Sequence, residues 1–157
     1  MTDFIARPIA SEFVDRARAR LEAGDATVAR VIADAKPGYP CRVCLKDAEP
    51  GEALLLFTHT PFERDGPYVE SGPVLAHADG CAPAGLSPGE IPEVTVARAH
   101  CVVRAYDQRG WIHDGRLTET AAVADVLRAF FADAAAAYAH VRNVGYGCFA
   151  YEVRRAL

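Results

Sequence analysis

The sequence has no basic surplus, no long apolar run and no complete four-cysteine metal pattern, and each shortage removes a class of function. Seventeen Lys and Arg stand against twenty-one Asp and Glu, a net charge of −4. Nothing here offers the basic footprint that nucleic acid requires, so no nucleic-acid partner is expected. No apolar stretch is long enough to span a bilayer, so no membrane partner is expected either. The opening "MTDFIARPIASEFVDR" carries acids early and does not read as a secretory signal, which makes a cytoplasmic location the expectation. In that compartment the five cysteines read as reduced thiols or metal ligands rather than a disulfide framework, and their odd number argues the same way. Also missing are a glycine-rich phosphate loop, an H-E-x-x-H helix and an ordered Ser/His/Asp set.

What is present describes one domain. A chain of 157 residues can bury a self-sufficient core, so metal is optional for holding it together. No linker divides it, and residues 1–157 read as a single unit. Arg far outnumbers Lys and Ala is abundant, a bias expected of a GC-rich bacterial genome. "SEFVDRARARLEAG" predicts a helix with Ser11 as cap and Gly24 as stop, and "DATVARVIADA" a second one starting at Asp25. Strands are expected over 53–60 and in "GPVLAHA". Period two over 94–106 separates a small face (Thr95, Ala97, Ala99, Cys101, Val103, Ala105) from one carrying Arg98, His100 and Arg104. "DQRG" then turns into a returning strand, "WIHDGRL". The stretch from Thr118 to Asn143 predicts one long helix with Val123, Val126, Leu127, Phe130, Ala134, Tyr138 and Val141 along a stripe, and "YGCFAYEV" a closing strand. The expected class is α+β: a mainly antiparallel sheet packed by one long C-terminal helix and shorter N-terminal helices.

The chemistry concentrates in "YPCRVCLKDAEPGE". Cys41 and Cys44 form a C-x-x-C pair, and "HADGC" supplies His77 and Cys81 in a loop that Gly80 and Pro83 keep from being helical. Together they make a candidate zinc set, two ligand pairs separated by a strand and a loop, similar in outline to treble-clef fingers. The stronger C-x-x-C…C-x-x-C pattern is absent, so thiols at strand ends without metal fit equally well. A redox pair is disfavoured, because Pro50 and Gly51 come too soon for the helix that would lower a thiol pKa. A nucleophilic cysteine, Cys41 or Cys148, acting with a histidine is the alternative enzyme reading. Cys101 reads as an inert core thiol.

A second constellation concerns anions. Arg98, His100 and Arg104 on one strand face, with His140, Arg142 and Asn143 at the end of the long helix, would surround a small acidic ligand. Arg42 and Arg104 are the candidates for holding a substrate, so the expected ligand-binding residues are Arg42, Arg104, His140 and Arg142. Solvated arginines, and basic groups complementing a helix C-terminus, explain the same residues without a ligand.

"PGYPCRVCLKDAEPGEALLLF", "GPYVESGPVLAHADGC" and "HVRNVGYGCFAYEV" resemble an uncharacterised bacterial family, domain of unknown function 1203, from Pro37 to the C-terminus. The most particular blocks are the "PCR" turn with its following "GE", the "PY…GP" loop and the terminal "GC" strand. The resemblance places Cys41, Arg42, Glu52 and Cys148 in the family pattern and implies no agreed activity. Cys44 and "HADGC" depart from it, so a metal site is expected to be particular to this branch. The combined expectation is a soluble binding or interaction domain, with a structural zinc as candidate cofactor and an unidentified small molecule or protein as partner. Homo-oligomerisation stays open.

Overall fold

The computed structural model describes residues 3–157. Its strands are β1 (Phe4–Arg7), β2 (Ala29–Ile32), β3 (Ala53–His59), β4 (Gly72–His77), β5 (His100–Tyr106), β6 (Ile112–Glu119), β7 (Tyr138–Arg142) and β8 (Phe149–Arg155). Its helices are α1 (Ser11–Glu22), α2 (Glu93–Val96) and α3 (Val123–Ala132). The strands form two sheets, one ordered β1-β8-β7-β5-β6 and one ordered β2-β3-β4, with every pairing antiparallel.

This overturns the α+β arrangement packed by one long C-terminal helix and shorter N-terminal helices. Residues expected to begin the long helix continue β6 to Glu119, a 3-10 turn covers Thr120–Ala122, and α3 ends after ten residues. Asp133 stops it: its backbone is extended and its Oδ1 accepts the Ala135 N–H at 2.9 Å, a turn that competes with helix continuation. The alanines that favour helix locally then enter β7, where Ala139 lies between Ala105 of β5 and Val153 of β8. A helix there would leave two strands without the partner between them, so sheet hydrogen bonds override propensity. Ala136 and Ala139 are fully buried, and their small size admits α3 and the sheet to close approach.

The second predicted N-terminal helix is also absent. Asp25 accepts the Thr27 N–H at 2.8 Å, which makes a local turn, and Ala29–Ile32 then pairs with β3. The strand expected over 94–106 begins only at His100; Pro92 leads instead into the single turn α2. Arg98 therefore lies off the strand that carries Arg104.

α3 places Val123, Val126, Leu127, Phe130 and Phe131 against Val103, Ala105, Ala139, Tyr151 and Val153 of the five-stranded sheet. Fully burying a Leu or Phe of this kind contributes about 1.5–3 kcal/mol. One face of the small sheet is covered, with Leu55, Phe57, Val74 and Ala76 packed with Val14 and Ala17 of α1; on the other, Leu54 meets Ala33 and Ala48 while Leu56 is only partly buried. Burial on one face and partial cover on the other explain why "ALLLF" is a continuous apolar run and does not alternate. Ahead of β3 the chain crosses the end of this sheet, where Cys41 bridges to Leu75 in parallel and Pro40 pairs with Asp47.

Candidate metal centre

The segment Pro40–Asp47 is a tight loop closed by the Cys41 N–H donating to the Lys46 carbonyl at 3.0 Å and the Leu45 N–H donating to the Cys41 carbonyl at 3.0 Å. Leu45 takes a left-handed φ of 57°, an uncommon conformation for a branched side chain. That reversal puts Cys44 back beside Cys41. Across the loop, β4 ends at His77, and Gly80 at φ 89° turns the chain so that Cys81 returns toward it. Arg18 of α1 fastens this turn, donating to the Ala78 carbonyl at 2.7 and 3.0 Å.

Four side chains from the turn, the strand end and the loop therefore converge. The ligand atoms of Cys41, Cys44, His77 and Cys81 all lie within 4.8 Å of one another. Cys41 Sγ is 3.7 Å from Cys81 Sγ, and Cys44 Sγ is 3.6 Å from His77 Nδ1. All five cysteines are free thiols. Cys41 is fully buried and the other three residues of the set are partly exposed. Three sulfurs and one imidazole nitrogen form a donor set that can hold a metal ion.

The electrostatics favour negative charge at the centre. The Cys41 thiol is lowered to about 4, chiefly through its bond with Cys44, with the backbone N–H groups of Cys44, His77 and Val43 aimed at its sulfur. The His77 N–H donates at 3.4 Å. Cys44 is pushed upward by the same bond, and Cys81 to about 11 by burial and by the charge on Cys41. Of the three sulfurs, Cys41 is thus the one whose surroundings favour negative charge. His77 turns its Nδ1 toward the sulfurs and its Nε2 toward Glu52 Oε1 at 3.5 Å. That distance is too long for a strong hydrogen bond, and Nε2 is otherwise unpartnered among the described residues.

The chain matches the sequence family described as "Protein of unknown function (DUF1203)" over residues 38–155. It belongs to that family. No curated protein and no solved structure matches it. Membership covers both loops of the sulfur cluster and carries no activity with it.

The anion-binding candidates divide between two places: Arg42, Arg98, His100 and Asn143 line one cleft, while Arg104, His140 and Arg142 lie outside its lining. Arg104 and Arg142 do meet, but on Glu70: Arg104 Nη1 lies 2.7 Å from Oε1 and Arg142 Nη2 3.2 Å from Oε2. The chain supplies the carboxylate itself. His140 sits opposite Arg104 in the sheet, fully buried among Phe62, Tyr106, Tyr138 and Phe149, with neither ring nitrogen hydrogen-bonded. Burial lowers its pKa, so it is a neutral core ring with no reach to a ligand. Arg98 forks onto buried Asp47 through two contacts of 2.9 Å. Arg42 is buried in the wall of the cleft that Arg98 also lines, donating to the Phe149 carbonyl at 2.9 Å and the Pro40 carbonyl at 2.7 Å.

Cys101 is a core thiol raised to about 11 by burial. Cys148 is half-buried beside Arg42, and its thiol hydrogen-bonds to the Tyr146 carbonyl at 3.8 Å; no imidazole bonds it among the described residues. Sequence reasoning missed Asp47 and Glu70, the acids that neutralise Arg98 and the Arg104/Arg142 pair. Both partners are 34 or more positions away, and no local spacing encodes such a pairing. Glu52 lay in the "GE" block beside the motif, and a carboxylate behind a candidate histidine ligand is the signal that would have found it.

Proposed function

We propose that this protein is a binding or interaction domain whose small sheet is stapled by a structural zinc on Cys41, Cys44, His77 and Cys81. The observation that carries the reading is the convergence of four ligand atoms within 4.8 Å. Zinc bonded to sulfur at about 2.3 Å and to imidazole nitrogen at about 2.0 Å sets tetrahedral sulfurs about 3.8 Å apart and a sulfur and nitrogen about 3.5 Å apart. The 3.7 Å between Cys41 and Cys81 and the 3.6 Å between Cys44 and His77 agree with both separations. Three thiolates and a neutral imidazole are the soft-to-borderline set that suits zinc over calcium or magnesium. Glu52 stands behind His77 where an acceptor would fix its tautomer. All four positions are filled by protein, which supports a structural rather than a catalytic ion.

Elemental analysis of tag-free protein, paired with thermal melting before and after a strong chelator, tests this directly. One zinc per chain and a lower melting temperature after chelation are expected. Absence of stoichiometric metal together with unchanged melting eliminates the reading.

A further inference from the structure

A cleft of about 1030 Å³ opens between the outer face of the small sheet and the edge of the large one, on the other side of the chain from the sulfur cluster. Its walls include Val31, Leu56, Leu75 and Leu117, and Arg42 and Cys148 also line it. The volume suits an organic ligand, since such sites run from about 300 to 1,000 Å³. Leu117 and Val144 on its rim are 66% and 45% exposed, so apolar surface is left open there.

The charge at the lining decides what fits. Arg42 is only 3% exposed, yet its partners are two neutral carbonyls, and no carboxylate lies within ion-pair distance among the described residues. Its Nη2 has no hydrogen-bond partner among them either. The contrast with Arg98, which lines the same cleft, is direct: both Nη atoms of Arg98 are held by Asp47. Cys148, Cys41 and Asp47 bear on its charge from a distance, but a buried guanidinium bonded only to neutral carbonyls is still costly, and an incoming anion would offset that cost. One uncommitted cation calls for one negative charge. Asp34 on the same lining, bonded by the Tyr39 hydroxyl at 3.0 Å, disfavours a more highly charged ligand such as a phosphate dianion.

We propose that this cleft binds an amphipathic organic carboxylate, with the carboxylate on Arg42 and the apolar body along Val31, Leu56, Leu75 and Leu117. The proposal goes beyond the metal reading and does not depend on it.

The test is calorimetric titration of the full chain with hexanoate, decanoate and 3-phenylpropanoate below micellar concentrations, with decanol as the uncharged control. Cys148 is then alkylated with and without ligand and the labelled peptide quantified. At least one carboxylate should bind, decanoate at least tenfold more tightly than decanol, and the bound acid should slow labelling of Cys148 several-fold. Leu117→Asp, at an exposed rim position that leaves the fold intact, should weaken the acid at least fivefold. Equal binding of decanoate and decanol, no change in Cys148 labelling, or no binding by any acid overturns the proposal. Arg42→Lys, which keeps the charge, adds a check where Arg42→Leu does not fold: it should retain the preference for acid over alcohol.

Discussion

Two regions gather charge of one sign, and they differ in how that charge is answered. At the sheet surface Arg104 and Arg142 are bridged by Glu70, whose two oxygens each take one guanidinium. At the end of the small sheet Cys41, Cys44 and Cys81 converge with His77, and no Lys or Arg side chain hydrogen-bonds to their sulfurs among the described residues, although the Arg42 guanidinium feels the charge of Cys41. The first cluster is complete in itself. The second has no cation bonded to its sulfurs, and such a donor set can take one from outside. Self-compensation within the chain is thus the property that separates structural charge from a site.

The largest effect expected from this contrast is at Cys41. Cys41→Ser removes the most buried donor and should abolish stoichiometric metal and destabilise the protein by more than about 2 kcal/mol, measured by chemical unfolding. Cys148→Ser, outside the cluster, should leave metal content unchanged. Equal metal content in the two variants would place the sulfur region in the same self-contained class as the arginine pair.

Arg42 is the next strongest case, between the two extremes because its Nε and Nη1 are held by carbonyls while its Nη2 and its charge have no direct partner among the described residues. Arg42→Met should cost about 2–4 kcal/mol in unfolding experiments, since the Phe149 and Pro40 carbonyls lose their donor. A loss below about 1 kcal/mol would mean that the carbonyls find water and that the guanidinium holds no structural role.

The sequence made the sulfur site legible because ligand spacing is local: C-x-x-C and H-x-x-x-C each sit on one turn, and only the meeting of two turns had to be supplied by the fold. The arginines were not legible in the same way. Arg98, Arg104 and Arg142 carry the right chemistry for an anion site, but their acids come from distant loops. The long helix failed for a related reason. Residues 138–142 alternate Tyr, His and Arg with Ala and Val, a period of two hidden at the end of an alanine run, and only the neighbouring strands reveal it. Where strand pairing was local, as in β3 with β4 and β5 with β6, the pattern was readable.

His140 gives a smaller, pH-dependent test of the arginine side of the molecule. Its pKa is lowered by burial from 6.5, against the opposing pull of Glu152 and with Arg142 and Arg154 reinforcing the shift. The unfolded chain therefore takes up the proton first. Stability is complete above about pH 6.5 and falls as pH drops from there toward the folded-state value. His59 is lowered in the same direction, first by burial and then by the charges of His140 and Arg42. His140→Phe removes two unpartnered nitrogens from an aromatic cluster and should change stability near neutral pH by less than about 1 kcal/mol. It should also shrink the loss below about pH 6.5, read as the difference in melting temperature between variant and parent. An undiminished slope would assign the acid sensitivity to His59 and the sulfur ligands.

The smallest effect belongs to the cluster that is already answered. Glu70 is 45% exposed at its side chain, so solvent screens both of its ion pairs, and Arg142 keeps its bond to the Gly147 carbonyl at 3.0 Å. Glu70→Gln should cost no more than about 1 kcal/mol in chemical unfolding. It should also leave Arg104 and Arg142 as a pair of cations without a carboxylate, the condition that Arg42 already meets in the native chain. Added sulfate should then stabilise the variant more than the parent, beyond the general salting effect that both share. Equal stabilisation would show that two partly buried guanidinium groups remain content with water, and that burial as complete as that of Arg42, more than the missing partner, is what turns an arginine into a binding site.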